Sequence, residues 1–352
     1  MTRSGATSPA ATEDRAAPAL ARARPRLGFL GVGWIGRHRM QAVAASGSAE
    51  VSAIADPAVA AAREAADSSA PGASVAASLE ELLAQPLDGV VIATPSALHA
   101  DQSIRALERG LAVFCQKPLG RNAAEVRRVI DAARTADRLL GVDLSYRHVA
   151  GVPELRRLVQ GGAIGRVHAV NLVFHNAYGP DKPWFYDAAQ SGGGCVMDLG
   201  IHLVDLALWV LGFPGVTAVT SAVSASGAAL RGRSECEDHA SALLRLDGGV
   251  AVQLACSWRL AAGQDCVIEA SFYGTEGGLS LRNVNGSFYD FVVERYHGTR
   301  RELLAGPPDA WGGRAAVAFA EALSSSRRFD PEIEGVLRVA EVLDAIYDGA
   351  AG

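Results

Sequence analysis

Along the first half of the chain, short apolar runs alternate with segments of helical period. Arg26-Leu-Gly-Phe-Leu-Gly-Val-Gly-Trp-Ile-Gly36 begins apolar, turns glycine-rich and gives way at Arg37 to a polar–apolar repeat. That order predicts a buried strand, a tight turn and a helix. Val51–Asp56 reads as a second strand, Ala58–Ala66 as a helix, Leu79–Leu83 as a short helical piece and Gly89–Thr94 as a further buried strand. Leu98–Arg109 is an amphipathic helix ended by Gly110, a residue suited to a helix C-terminus. Ala112–Cys115 reads as a strand, Ala123–Ala136 as a helix and Leu139–Asp143 as the last strand of the series. Such alternation demands parallel strands with helical crossovers on both faces. Residues 26–146 are therefore expected to form an α/β domain of Rossmann type, a doubly wound parallel sheet.

The texture changes near Val152. Val167–Phe174, His239–Leu246, Gly249–Ser257, Cys266–Tyr273, Gly278–Leu281 and Phe288–Val293 read as strands separated by Gly or Asp turns. One long helix near Asp198–Leu211 interrupts them, and Ile333–Tyr347 reads as a final helix. Residues 147–352 are thus expected to be an α+β domain with a largely antiparallel open sheet, its last helix, 333–347, packing back on the first domain. The opening residues, 1–25, are rich in Ala, Arg, Ser and Pro and are read as a disordered tail. They lack the apolar stretch of a secretory signal, and Glu13 and Asp14 argue against a transit peptide.

Composition narrows the function classes. A chain of 352 residues exceeds one ordinary core, which agrees with two domains. A net charge of -5 without a basic stripe argues against nucleic acid as a partner. No apolar run reaches membrane-spanning length, so no membrane partner is expected. The five cysteines (Cys115, Cys195, Cys236, Cys256, Cys266) form no CxxC pair and are odd in number. They fit reduced thiols and a cytoplasmic location better than a disulfide framework or a metal knuckle. Only Lys117 and Lys182 are lysines; every other strong base is arginine. Arginine does not titrate near neutrality whereas a buried lysine amine can, so Lys117 stands out as a candidate.

Gly31-x-Gly33-x-x-Gly36 lies between a predicted strand and a predicted helix. The first glycine permits the turn, the second lets backbone approach a pyrophosphate, and the third lets helix and strand pack closely. Gly31, Gly33, Trp34, Ile35 and Gly36 are accordingly read as a dinucleotide-binding turn. Asp56 ends the second strand 20 residues after Gly36. A carboxylate there can accept both ribose hydroxyls and repels a 2′-phosphate, so NAD is expected in preference to NADP. Further on, Asp198, His202 and Asp205 share one stripe of the predicted helix. An acid one turn from an imidazole can set its tautomer and stabilise its charged form. The same pattern also describes a helix start with acids in its first turn and a core histidine. Tyr178, Lys182, Trp184 and Tyr186, just before that helix, offer aromatic faces and hydroxyls suited to a sugar ring, or a loop packed on a sheet edge. Arg147 and Asp238 are further substrate-side candidates.

Taken in order, these marks resemble the glucose–fructose oxidoreductase / inositol 2-dehydrogenase / rhizopine-catabolism (Gfo/Idh/MocA) family from Arg26 to the C-terminus. They are GVGWIG with Asp56, Thr94-Pro95 with His99, Cys115-Gln116-Lys117-Pro118, Tyr146-Arg147, Gly161–Gly165, the GGGCVMDLGIHLVD block and Glu334-Gly335. The resemblance implies an NAD(P)-dependent oxidoreductase that oxidises a secondary alcohol of a sugar or cyclitol, or reduces the matching ketone. It implies Lys117, Asp198 and His202 as the catalytic group, Asp198 and His202 also facing the substrate, with Thr94, Pro95, His99, Gln116 and Lys117 itself along the nicotinamide side. The chain departs from the family in carrying Gln116 where Glu is usual, which removes a carboxylate neighbour of Lys117. Family members also suggest a homodimer or homotetramer. Two rival readings are a redox-neutral enzyme that uses tightly held NAD through a transient ketone, and a non-catalytic NAD-binding sensor.

Overall fold

The computed structural model describes residues 1–2, 24–233 and 235–350. The expected tail, 1–25, falls largely on residues 3–23, outside the described residues. The chain then runs β1 (Arg26–Leu30), α1 (Trp34–Ser46), β2 (Glu50–Ala55), α2 (Val59–Ser69), β3 (Ser74–Ala76), α3 (Leu79–Leu83), β4 (Gly89–Ile92), α4 (Ser96–Glu108), β5 (Ala112–Cys115), α5 (Ala123–Ala136) and β6 (Leu140–Val142). These strands form one sheet in the order β3-β2-β1-β4-β5-β6, and every pair in it is parallel. Leu27, Phe29, Ala53, Ile54, Val90, Ile92 and Val113 are fully buried, as a sheet covered on both faces requires. The order reverses between β1 and β4, and ligand crevices open at the carboxyl ends of strands beside such a reversal. The three-residue β3 is an edge strand that periodicity does not reveal.

The second half contributes α6 (Val152–Gln160), β7 (Val167–Asn176), α7 (Ala188–Ser191), a π-helical turn (Val196–Gly200) continuing as α8 (Ile201–Val210), then β8 (Val216–Ala225), β9 (Ala228–Ala229), β10 (His239–Leu246), β11 (Ala251–Ser257), β12 (Cys266–Gly274), β13 (Gly278–Asn283), β14 (Phe291–His297) and β15 (Arg300–Ala305). They build a nine-stranded sheet ordered β15-β14-β13-β12-β7-β11-β10-β8-β9. Its β7–β11 pair is parallel; the others are antiparallel. Strand β10 alternates buried and exposed along its length, the signature of a sheet with one covered face. On the covered face lies α8, nine of whose ten residues are buried. The helical run Ala188–Val210 is long and apolar enough to cross a membrane, but 89% of its apolar window is buried inside the fold. Its apolarity matches the sheet it packs on.

Several elements differ from the sequence reading. Strand β8 (VTAVTSAVSA) has a single buried residue and carries small polar residues on both faces, so it lacks the alternation that marks a half-buried strand. Strand β14 starts at Phe291 rather than Phe288, because Ser287 and Asp290 bond to each other in a turn just before it (Oγ to Oδ2, 2.9 Å). The chain also returns to the first sheet. Helix α9 (Arg314–Ser325) buries Ala315, Ala316, Phe319, Ala320 and Leu323 in a cluster with Leu27, Phe29 and Phe114. The rings of Phe114 and Phe319 lie 5.3 Å apart. A segment placed by sequence in the second domain thus completes the core of the first. The last helix, α10 (Glu334–Gly349), divides between the two cores. Val336 and Ala340 join the first sheet's cluster, whereas Val339, Val342, Leu343, Ile346 and Tyr347 join the second's. A helix with two apolar stripes can hold two layers against each other.

Candidate active site

A cleft of about 610 Å³ opens at the carboxyl ends of the first sheet's strands. One wall carries Gly33–Gly36, Thr94, Pro95, His99, Gln116 and Lys117; the facing wall carries Pro180, Trp184, Phe185, Met197 and Asp198. Sequence segments more than 60 residues apart therefore converge on one space.

The glycine turn has the form that a pyrophosphate needs. Gly33 precedes α1, and nothing lies within 4 Å of where its Cβ would be. A Cβ on Gly36 would sit 2.0 Å from the Gly31 carbonyl oxygen, so helix and strand approach here only because the side chain is missing. Helix α1 has no side-chain cap and no acid in its first turn. Its leading N–H groups face the cleft unneutralised, which suits a phosphate. These residues fit a dinucleotide. Asp56 is held at the end of β2: Oδ2 accepts from Val32 N at 2.9 Å and Oδ1 from Ala58 N at 2.8 Å. The first bond ties the carboxylate to the glycine turn. A carboxylate has about four lone-pair sites, so both oxygens retain capacity for hydroxyl donors.

The nicotinamide-side candidates form a connected group. Thr94 Oγ1 donates to Gln102 Oε1 at 2.6 Å. Buried His99 places its two ring nitrogens 2.7 Å from the Thr94 carbonyl and 2.6 Å from the Pro118 carbonyl. Burial holds the His99 imidazole below its usual range. The two carbonyl contacts act in the opposite direction, favouring the protonated ring. Gln116 Oε1 accepts from the backbone N of Lys117 at 2.8 Å, which orients the segment carrying the amine.

Lys117 Nζ lies 2.7 Å from Asp198 Oδ1 and 2.7 Å from the Asp198 carbonyl oxygen. Both side chains keep 17% exposure, toward the cleft. An ammonium has three hydrogens, so two are committed and one remains for a ligand. The other oxygen of Asp198, Oδ2, accepts from the indole Nε1 of Trp258 at 3.1 Å.

This arrangement corrects one expectation. Asp198 does not orient His202; its carboxylate is taken by Lys117 and Trp258, and no hydrogen bond joins the two. The i,i+4 stripe assumes an α-helix, whereas Asp198 lies in the π turn Val196–Gly200. A π turn closes i→i+5 bonds and so rotates the stripe. His202 does not line the cleft. It is 8% exposed, its Nδ1 is buried without a partner, and its ring lies 4.8 Å from that of Tyr146. Burial, reinforced by the positive charges of Lys117 and Arg39, holds its imidazole well below the usual range.

Buried His202 has a consequence for stability. Below about pH 6.5 the unfolded chain takes up a proton that His202 refuses in the fold, so the unfolded state binds more protons and stability falls with falling pH. Denaturant midpoints measured between about pH 7.5 and pH 5.5 are expected to drop, and His202→Asn to flatten part of that slope. An unchanged slope would contradict the neutral buried imidazole.

The remaining candidates divide. Trp184 lines the cleft, stacked on Phe185 at 3.8 Å between centroids. Lys182 lines it too and is exposed beside Asp181. Arg147, expected on the substrate side, instead gives its guanidinium to Asp205 of α8, Nε to Oδ2 at 2.9 Å, and lies over the Trp209 ring. Tyr178, also expected there, is exposed and donates its hydroxyl to Asp265 at 2.7 Å; neither lines the cleft. Asp238 accepts from Ser226 N. Tyr186 donates to the Pro180 carbonyl and accepts from Arg259. Among the described residues no cluster of three or more His, Cys, Asp or Glu could hold a metal ion.

Sequence reasoning missed two residues that bond to the segment carrying Asp198. One is Trp258. The other is Glu237, fully buried before β10, whose carboxylate accepts from Gly194 N (2.9 Å), Val196 N (2.8 Å) and the Tyr347 hydroxyl (2.9 Å). It thereby fastens the chain entering the π turn. Burial raises the Glu237 carboxyl above its ordinary value. No local pattern marks either residue, since their partners lie at least 41 positions away in sequence.

Comparison with known proteins agrees with this geometry. Residues 26–144 match the family described as "Oxidoreductase family, NAD-binding Rossmann fold", and residues 152–280 match "GFO/IDH/MocA C-terminal domain". The chain is 30% identical to rhizopine catabolism protein MocA of Rhizobium meliloti over 309 residues, 85% of this chain and 94% of that protein. It is 32% identical to 1,5-anhydro-D-fructose reductase of Ensifer adhaerens over 212 residues, 59% of this chain and 61% of that protein. The crystal structure of GenD2 from gentamicin A biosynthesis in complex with NAD superposes with a TM-score of 0.78 at 25% identity, covering 94% of this chain and 95% of that one.

Proposed function

The chain belongs to the Gfo/Idh/MocA oxidoreductase family, and on that premise we propose that it is an NAD(P)-dependent dehydrogenase or reductase acting at a secondary alcohol or ketone of a sugar, cyclitol or related polyol. The observation that carries the reading is the Lys117 amine, tethered twice to Asp198 and lining the same cleft as the glycine turn. Bound there, a nicotinamide dinucleotide supplies the hydride acceptor or donor.

The glycine turn and the first N–H groups of α1 hold the pyrophosphate, and Asp56 receives the adenosine ribose. Thr94, Pro95, His99 and Gln116 border the nicotinamide end. The third N–H of Lys117 points to the reacting oxygen and stabilises its developing negative charge. In the reducing direction Lys117 would give that proton to the carbonyl oxygen, and in the oxidising direction Nζ would take it back. Asp198 keeps the amine in place. His202, buried against Tyr146 and outside the cleft lining, makes no direct contact with the reacting oxygen in this reading. Trp184 and Phe185 offer their faces to the apolar side of the ring. The same reading takes the protein to be a cytoplasmic homodimer or homotetramer, on the family resemblance and the free cysteines.

The test is formation or consumption of reduced nicotinamide, followed by absorbance, with NAD and separately NADP across cyclitols, aldoses, amino sugars and their ketones. Turnover with one substrate group supports the proposal. Silence in both directions with cofactor still bound would favour the redox-neutral or sensor reading. The same assay tests NAD preference. Asp56→Asn removes the charge that repels a 2′-phosphate and keeps one acceptor oxygen. It is expected to raise kcat/KM with NADP relative to NAD by about an order of magnitude. An unchanged ratio would show that Asp56 does not set the preference.

A further inference from the structure

Trp258 lies at the far side of Asp198 from the cleft amine and has no place in the chemistry described above. It directly follows β11, and its side chain is 3% exposed. Its indole N–H meets Asp198 Oδ2, while Asp198 Oδ1 and the Asp198 carbonyl hold Lys117. The carboxylate is therefore gripped at both oxygens, by a charged donor from the first sheet's side and a neutral donor from the second sheet.

The surroundings fix the indole from several directions. The backbone N of Trp258 donates to the Asp238 carbonyl at 2.7 Å, next to Glu237, which fastens the start of the π turn. Arg259 follows in the left-handed region at φ 56, a conformation that non-glycine residues adopt at a cost in strain. Its backbone N donates to the Tyr178 carbonyl at 3.1 Å. Its guanidinium lies 5.1 Å over the Tyr186 ring, and that ring meets Trp258 edge-on at 5.6 Å. The turn away from β11 at Arg259 leaves the backbone of Trp258 tied to Asp238 and its ring against Tyr186, with the single indole N–H directed at Asp198.

A carboxylate bound on one side only could rotate about χ2 and swing the amine with it, since that terminal torsion is broad. With Oδ2 anchored, the plane of the carboxylate is set, and with it the direction of the uncommitted third N–H of Lys117. We propose that Trp258 is a positioning residue of the active site: it acts through Asp198 to hold Lys117 in the orientation that the reacting oxygen requires. This rests on the catalytic reading of Lys117.

The experiment compares Trp258→Phe, which keeps the ring and removes the donor, with Asp198→Asn and the double variant. Trp258→Phe is expected to lower kcat by about tenfold, the scale of a hydrogen bond to a charged group, with KM little changed. In the Asp198→Asn background the same replacement should cost far less, because the group it acts through is already altered. An equal loss in both backgrounds, or a kcat within about twofold of the parent, would overturn the proposal. A second readout needs no turnover. Among the indole N–H resonances of the five tryptophans, the one lost in Trp258→Phe should move in Asp198→Asn and in Lys117→Met. If it stays in place, the Trp258–Asp198 bond is absent in solution and the proposal fails. If it moves while no substrate turns over in any form, the contact stands and the enzymatic reading is what fails.

Discussion

Replacing Lys117 with Met should lower kcat by about 10²- to 10⁴-fold, the scale of a positioned proton donor together with the charge it presents. Cofactor binding, titrated by quenching of tryptophan fluorescence, should persist, because the glycine turn and Asp56 form no hydrogen bond with Lys117. The size of the effect follows from geometry. Lys117 lines the cleft, and its Nζ has two hydrogens committed to Asp198 and one uncommitted. Methionine copies the length and apolar stem but offers no donor. The variant also leaves Asp198 Oδ1, in a side chain only 17% exposed, without its cation, so a lower melting temperature is expected alongside the kinetic loss. Lys117→Arg separates the two roles. Arginine keeps the positive charge but does not release a proton near neutrality. If Lys117 only stabilised charge, Lys117→Arg would retain much of the activity. If it passes the proton, both variants fail together. Near-normal turnover in Lys117→Met would remove the amine from the mechanism.

Glu237→Ala should be the most damaging single change away from the cleft. Three donors end on this carboxylate: the backbone N of Gly194, the backbone N of Val196 and the Tyr347 hydroxyl. Each orphaned buried donor costs about 1–3 kcal/mol, and only part is offset by no longer burying an acid whose ionisation burial opposes. A loss of about 3 kcal/mol or more in unfolding free energy is expected, read from denaturant midpoints. Folded variant protein should also lose turnover, because Val196 opens the π turn that carries Asp198. Glu237→Gln keeps one acceptor oxygen and should fall between the parent and Glu237→Ala. A stability within about 0.5 kcal/mol of the parent in Glu237→Ala would show that these donors find other partners.

The parts of the site that lie close together in sequence were legible from it. The glycine turn needs only a strand, three spaced glycines and a helix, all within residues 26–46, and each has a local cause. Asp56 belongs to the next strand and sits within the same βαβ unit. The Lys117 segment was marked by the scarcity of lysine, and its pairing with Asp198 became a candidate only through the family resemblance. Arg147 and Tyr178, expected on the substrate side, are not among the residues lining the cleft. Their chemistry suits a sugar, and nothing local shows that Asp205 and Asp265 already occupy them. The Asp198–His202 partnership failed for a sharper reason: one extra residue in a turn redirects a side chain, and spacing rules presuppose the turn they are used to infer.

By itself, the sequence determined the α/β character of the first half, the strand-rich second half, the nucleotide-binding turn and the residue types available for proton handling. These follow from short-range periodicity and from backbone sterics at glycine, which act within a few residues. Tertiary structure alone decided which carboxylate meets which base. Helix α9 completes the first core across some 200 residues of chain, α10 joins both sheets, and β11 brings Trp258 to Asp198 from 60 positions away. Such contacts depend on how the two sheets and their helices pack, and a donor 60 residues distant leaves no periodic trace for a local reading to find.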